Sequence, residues 1–382
     1  MSTMRSRRQF LGAGAAVAAA TLGSPLLSAC GGAPQPIGES TPSADVDGPA
    51  SGTLRVSNWA LYISPEIVPG FEKATGITVD YKEEFNDNEE WFAKYRESLA
   101  RKQDIGADLA VPTQWMAARL MGLGWLDEIS DARVPNKKNL RPALLNDPVD
   151  PGRKYTAPYM SGLTGLVYNP RLTGRDITTM DDVWDPAFKG KVAIFSDMQD
   201  AVGMVMLAQG NSVAKPTDEG FQQAVDFIRE QKENGQIRRF TGGDYVDDIA
   251  SGNLAITQAY SGDVVQLQAD NPDIKFVVPQ SGGMWFIDTM VIPYTTQNPH
   301  AADAFIDYVY DRSNYAKLIA YMKFVPVLSD MEDELNKINP ALASNPLINP
   351  PQQTLDMLHK WATLPDEQMQ KYTQAYSSVT TS

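Results

Sequence analysis

From Gly52 onward the chain alternates short apolar runs with segments of helical periodicity. Thr53-Leu54-Arg55-Val56-Ser57 alternates as a half-buried strand does, and Ile77-Thr78-Val79-Asp80-Tyr81 repeats the pattern. Between them Ser64-Pro65-Glu66 reads as a helix start, with Ser64 as N-cap, and Gly76 as its stop. Pro69 should kink or delay that helix. Trp91, Phe92, Tyr95 and Leu99 recur at helical spacing within 88–102. Asp108–Val111 predicts a strand, and Thr113 caps a helix running to about Gly122. Further strands are predicted at 165–168, 192–195, 254–257, 275–278 and 284–292. Helices are predicted at roughly 198–209, 218–234, 244–251, 300–321 and 353–378, the last broken near Pro365. This order predicts an α/β protein with mainly parallel sheets flanked by helices, in which ligands bind beyond the carboxyl ends of the strands. The roughly 330 residues after the first strand begins are more natural for two domains than for one core.

The N-terminal part follows another pattern. Arg7-Arg8-Gln9-Phe10-Leu11 precedes an apolar Ala/Gly/Val/Leu stretch to Leu27, and Leu27-Ser28-Ala29-Cys30 closes it. A basic start, a short apolar core and small residues read as an export signal over 1–29, too short for a membrane span. Ser6–Leu11 resembles the twin-arginine export signal. Leu27–Cys30 resembles a bacterial lipoprotein processing site, which implies cleavage before Cys30 and acylation of Cys30. Two or more acyl chains give stable anchoring. The plainer reading is a chance cysteine in a simple signal peptide. Residues 30–51 are rich in Gly, Pro, Ser and Ala and read as a flexible tether.

Charge and composition narrow the chemistry. The chain has 33 Lys+Arg and 47 Asp+Glu. Without Arg5, Arg7 and Arg8 of the leader, the balance is 30 to 47, a formal charge of −17. That excess argues against nucleic acid and anionic lipid heads as partners. It suits a cationic ligand and equally a solvated acidic surface. Cys30 is the only cysteine, so its acylation leaves no thiol for a disulfide, a nucleophile or a zinc site. His300 and His359 are the only imidazoles. There is no Gly-x-Ser-x-Gly elbow, phosphate loop, dinucleotide fingerprint or His-Glu-x-x-His. The expectation is a protein without catalytic residues, cofactor or metal.

Aromatic and acidic residues cluster where predicted strands end. Trp59 and Tyr62 follow the first strand, and Trp115 follows Asp108–Val111. Asp197 and Asp200 follow Val192–Phe195, while Tyr260 and Asp263 follow Leu254–Thr257. Aromatic faces attract cations and carboxylates orient ammonium hydrogen bonds, so together they form a box for an elongated organic cation. Each piece has a plainer reading. Asp197-Met198-Gln199-Asp200 also reads as a helix cap, and the aromatics singly read as core. Asp288 is harder to explain so, because it lies in the nearly apolar strand Met284–Ile292, on the same face as Phe286.

Six stretches carry a resemblance. They are Asn58-Trp59-x-x-Tyr62, Phe71-Glu72-x-x-Thr75-Gly76-Ile77, Asp108-Leu109-Ala110-Val111-Pro112, Phe188-Lys189-Gly190-Lys191-Val192, Tyr260-Ser261-Gly262-Asp263 and Gly282-Gly283-Met284-Trp285-Phe286-Ile287-Asp288. In this order they resemble periplasmic spermidine/putrescine-binding proteins, from about Gly52 to Pro326. The resemblance implies a two-lobed periplasmic-binding-protein fold of type II with hinge crossovers, closing over a polyamine. Carried over by position, Trp59, Trp115, Tyr260, Phe286 and Phe324 match an aromatic box, and Asp197, Asp200 and Asp288 its acidic residues. Tyr62 and Thr113 match further contacts. Some positions depart from the family. Leu61 and Ala60 stand where acidic and hydroxyl residues occur, Asp200 where a longer glutamate occurs, and Trp361 is nearest in register to a glutamine contact.

The implied organisation is a first lobe of 52–160 with 285–330 and a second of 161–284 with 331–382. Crossovers are expected near Gly162–Gly165, Gly282–Met284 and Pro326–Asp330. The implied role is a monomeric, lipid-anchored, extracytoplasmic solute-binding component of an ABC transporter, whose partners are a polyamine and the membrane permease. Two rival readings are a binding protein for another small solute and a secreted hydrolase using a carboxylate pair such as Asp197 and Asp200.

Overall fold

The computed structural model describes residues 49–85 and 88–381. The expected leader and Cys30 lie outside the described residues. Among the described residues ten strands form one mixed sheet: β1 (Thr53–Trp59), β2 (Thr78–Phe85), β3 (Leu109–Ala110), β4 (Thr156–Tyr168), β5 (Val192–Phe195), β6 (Ile237–Thr241), β7 (Ile256–Tyr260), β8 (Lys275–Val277), β9 (Gly283–Val291) and β10 (Leu358–His359). Their order is β2-β1-β3-β9-β4-β7-β5-β6, with β10 paired to β9 and β8 to β4.

Two parallel wings, β2-β1-β3 and β7-β5-β6, flank an antiparallel centre. The expected parallel pattern therefore holds in the wings. It does not hold in the middle, where β4 and β9 run antiparallel to each other and to the wing strand beside each. β4 is 13 residues long and buried throughout. Its Thr156–Thr164 part pairs with β9, and its Thr164–Tyr168 part pairs with β7.

The hydrophobic cores follow this division into two lobes. One contains Leu54, Phe71, Tyr159, Met160, Ile287, Phe305 and Tyr315. Another contains Leu166, Phe195, Val202, Phe221, Ile256, Met284 and Tyr376. A smaller one gathers Phe85, Trp91, Phe92, Met116 and Leu126 under the helices Asn88–Ala100 and Gln114–Gly122. Along β4 the change from first to second core falls between Met160 and Leu166, and along β9 between Met284 and Ile287. Val327, Leu328, Met331, Leu335, Leu342 and Ile348 still belong to the first core, and Met369 belongs to the second.

Local sequence explains several departures from the predicted elements. Pro69 sits third in the helix Ile67–Thr75, in the first turn, where N–H groups have no intrahelical partner, so it neither kinks nor blocks it. Gly76 ends that helix in the left-handed region with φ 75°. Ser64 does not cap it. The predicted helix over 300–321 is two helices, Pro299–Val309 and Arg312–Met322, because the Asp311 side chain accepts from Ser313 N and Asn314 N and starts a second helix. β6 escaped the reading because Arg238 and Arg239 interrupt its apolar run; Arg239 ion-pairs with Asp244 and Asp248. The predicted 353–378 helix is shorter, Asp366–Thr380, with β10 before it. No helix among the described residues is long and apolar enough to cross a membrane.

Candidate functional site

β9 lies between β3 and β4, so Asp288 is flanked by Met160 on one side and Thr113 on the other. Its side chain is buried, with 6% of the residue exposed. The turn after β1 brings Tyr62 over it, and the Tyr62 hydroxyl donates to Asp288 Oδ2 at 2.6 Å. That turn needs Leu61 in the left-handed region (φ 55°), where its N–H donates to Glu83 Oε1 at 2.8 Å. The Tyr62 carbonyl accepts from Tyr159 Oη at 2.8 Å and Asn58 Nδ2 at 3.3 Å, which fixes the ring's approach. Burial pushes the Asp288 carboxyl up to about 7, against the pull of the Tyr62 hydrogen bond. Thr113 is at the helix N-cap position, yet its side chain does not cap. It binds Asn88 instead: Asn88 Nδ2 donates to its hydroxyl, and Thr113 N donates to Asn88 Oδ1 at 3.1 Å.

A chain of rings continues from Tyr62. Its centroid is 6.1 Å from Phe324, Phe324 is 5.8 Å from Phe286, and Phe286 is 5.2 Å from Tyr260, all edge-on. Tyr260 then stacks on Phe195 at 4.6 Å. Two glycines make room for this chain. A Cβ on Gly162 would lie 2.3 Å from Phe286 Cζ, and one on Gly262 would lie 2.4 Å from Phe324 Cδ1. Tyr260 packs against both main cores, so it stands at the lobe junction. Trp115 packs against the second and the small core, and Trp59 against the first and the small core. The Trp59 indole N–H donates to the Val111 carbonyl at 2.7 Å, which leaves only its ring for a ligand.

Asp197 and Asp200 start the helix Met198–Ala208 behind β5. The capping reading of Asp197 holds, since its carboxylate accepts from Asp200 N at 3.0 Å. Asp200 is buried, with 8% exposed. Burial first, then the neighbouring Asp197 charge, pushes its carboxyl up to about 8, with Asp288 adding to the effect and Tyr260 opposing it. No lysine, arginine or histidine among the described residues forms an ion pair with Asp200 or Asp288. Among the described residues no cluster is arranged to hold a metal ion.

The structure thus gathers Tyr62, Thr113, Asp288, Phe324, Phe286, Tyr260 and Asp200 around the junction. Trp361 is committed elsewhere: its indole donates to Gln199 O at 2.7 Å and packs into the second core. Sequence reasoning missed Tyr159, Phe195, Tyr245 and Glu83. Tyr245 Oη donates to Asp263 Oδ2 at 3.0 Å and accepts from Tyr260 N at 3.0 Å, which explains Asp263 as support for Tyr260. Phe195 ends β5, so the strand-end signal that selected Asp197 applied to it as well.

Residues 66–350 match the family model described as bacterial extracellular solute-binding protein. The chain is 24% identical over 331 residues to spermidine/putrescine-binding periplasmic protein 1 of Haemophilus influenzae, covering 86% of this chain and 89% of that one. It is 27% identical over 353 residues to the putrescine-binding periplasmic protein SpuD of Pseudomonas aeruginosa, covering 85% and 91%. Its fold is that of the TpPotD lipoprotein of Treponema pallidum, with a TM-score of 0.76 at 19% identity over 86% of this chain and 100% of the other. With the family model matching well over half its length, this chain belongs to the bacterial extracellular solute-binding proteins.

Proposed function

We propose that this protein captures a polyamine in the junction between its lobes and presents it to the permease of an ABC transporter. The observation that carries the reading is a pair of buried carboxylates, Asp200 and Asp288, with no protein cation beside them and a row of aromatic rings between them. An ammonium group would supply the missing charge, and the methylene stem would lie on the rings. The polyamine names of the relatives support this class of ligand. In this reading Trp59, Trp115, Tyr260, Phe286 and Phe324 hold the stem, Asp200 and Asp288 take the ammonium groups with Asp197 adjacent, Tyr62 and Thr113 make further ligand contacts, and Tyr62 also orients Asp288.

In this reading the lobes are 52–160 with 285–330 and 161–284 with 331–382; that Met331, Leu335, Leu342 and Ile348 pack in the first core supports moving 331–348 to the first lobe. A monomer held outside the cytoplasmic membrane by acylated Cys30, after twin-arginine export, completes the proposal. It catalyses nothing. The test is calorimetry and native mass spectrometry with spermidine and putrescine. Saturable one-to-one binding with unaltered ligand is expected. No binding at millimolar concentrations, or turnover of a ligand, would overturn the reading.

A further inference from the structure

Asp200 and Asp288 are both buried with no lysine, arginine or histidine among the described residues paired to either, and the charges of Asp197 and, more weakly, Asp288 act on Asp200. We propose that the ligand is taken up in exchange for protons held on Asp200 and Asp288, so that capture is proton-coupled and weakens as the surroundings acidify. The inference rests on the polyamine reading above.

The geometry of each group leads there. Asp288 is 6% exposed and Asp200 8%. Asp288 meets the Tyr62 hydroxyl from the turn after β1, Thr113 from the head of the helix Gln114–Gly122, Met160 from β4 and Phe324 beyond Tyr62. Tyr159 stands behind Tyr62. Asp200 meets Asp197 from its own cap, Tyr260 from the end of β7 and Thr164 from β4. Asp263, one layer back, is bonded to Tyr245. Tyr376 of the C-terminal helix faces Asp197. Every titratable group in this list is a carboxyl or a phenol. Tyr62, Tyr159, Tyr260 and Tyr376 are all held above the usual phenol range by burial, so they stay neutral.

Two like charges in a desolvated site disfavour each other, and protons neutralise one or both. The directions agree, with Asp288 near 7 and Asp200 near 8. An arriving ammonium restores the ionised form. The carboxylic acid O–H breaks, the ammonium N–H donates to the carboxylate, and one proton passes to buffer for each acid ionised. Charge balances, since one cation enters and one leaves. A neutral solute displaces no proton and finds two neutral acids. A fixed cation therefore has an advantage that grows as pH rises from 6 to 8.

The experiment is calorimetry of the full mature protein with spermidine at pH 7 in buffers of different ionisation enthalpy. The heat should vary linearly with that enthalpy, with a slope of about one proton released. At pH 9 release from the two acids should approach zero, leaving only protons taken up by the ligand's own amines. Between pH 8 and pH 6 the affinity should fall at least tenfold, roughly as the ionised fractions of the two acids fall. Asp200→Asn should lose most of the slope at pH 7. Carbon-13 NMR of the aspartate carboxyl groups in ligand-free protein reads the same protons without ligand and without mutation. Two resonances titrating between pH 6 and 9 support the proposal. Spermidine binding with a buffer-independent heat, or all aspartates titrating below pH 5, overturns it and leaves the polyamine reading intact. No spermidine heat in any buffer overturns both.

Discussion

Replacing Asp288 by Asn should stabilise the free protein and cripple its binding, two effects of opposite sign from one change. The carboxyl is raised from its ordinary 3.8 to about 7, chiefly by burial. Its ionised form is therefore disfavoured by about 4 kcal/mol in the folded protein. The folded state keeps a proton that the unfolded state loses, so stability falls as pH rises from about 4 through about 7. Asparagine never ionises and still offers Oδ1 to the Tyr62 hydroxyl. Its extra N–H, if unsatisfied, returns about 1–3 kcal/mol of that gain. The net expectation at pH 8 is a gain of about 1–3 kcal/mol, or ~2–6 °C in Tm, which turns into a loss of about 1–3 kcal/mol near pH 4, where only the unsatisfied N–H remains. Binding goes the other way. Losing a buried charge partner costs about 2–5 kcal/mol, a weakening of roughly 30-fold or more. Thermal melts at pH 4 and pH 8, with calorimetry against spermidine, test both. A variant that melts lower than the parent at pH 8 and binds within about threefold of it would refute the reasoning, because Asp288 would then be a structural carboxylate.

Four further outcomes are expected. Cys30→Ser should move the protein from the membrane fraction to the soluble one, and unchanged retention with an unchanged N-terminal mass would sink the anchor. Saturating polyamine should shrink the radius of gyration in solution scattering; binding without any change in the curve would reject lobe closure. Gly262→Ala should cost about 1–3 kcal/mol of stability, because its Cβ would lie 2.4 Å from the Phe324 ring and force that ring out of the row; a melting point equal to the parent's would show that the ring shifts freely. Leu61→Glu, beside Glu83, should strengthen spermidine more than putrescine, whereas an equal gain would show that residue 61 does not meet the end of the ligand.

Most wing strands were legible because each carries its signal locally, whereas β6 was not, since Arg238 and Arg239 interrupt its apolar run. β1 and β2 alternate, β5 is a short apolar run, and Gly76 marks a left-handed stop. In the centre β9 was legible as an apolar run, but β4 was read only over 165–168. β4 is buried along its whole length, so it has no polar face to alternate with, and Pro158 and Gly162 inside it look like breaks. Pro158 is accommodated where the β4/β9 register shifts, and Gly162 is there for the Phe286 ring. The antiparallel direction of β4 and β9 depends on where the chain goes after each strand, which no window of a dozen residues contains.

The site divides along the same line. Asp288 was visible because a carboxylate in an apolar strand conflicts with burial, and the conflict survives folding as a raised proton affinity. Asp197 was ambiguous from its neighbours, and the fold shows it capping a helix while it lends its charge to Asp200. Capping and the proposed ligand recognition are therefore compatible here. The cap fixes one carboxylate at the helix start, and that fixed charge adds to burial in raising the proton affinity of Asp200. Sequence reading treated each residue as having one role. The second role comes from a neighbour three positions on, buried beside Tyr260 of β7 and Thr164 of β4.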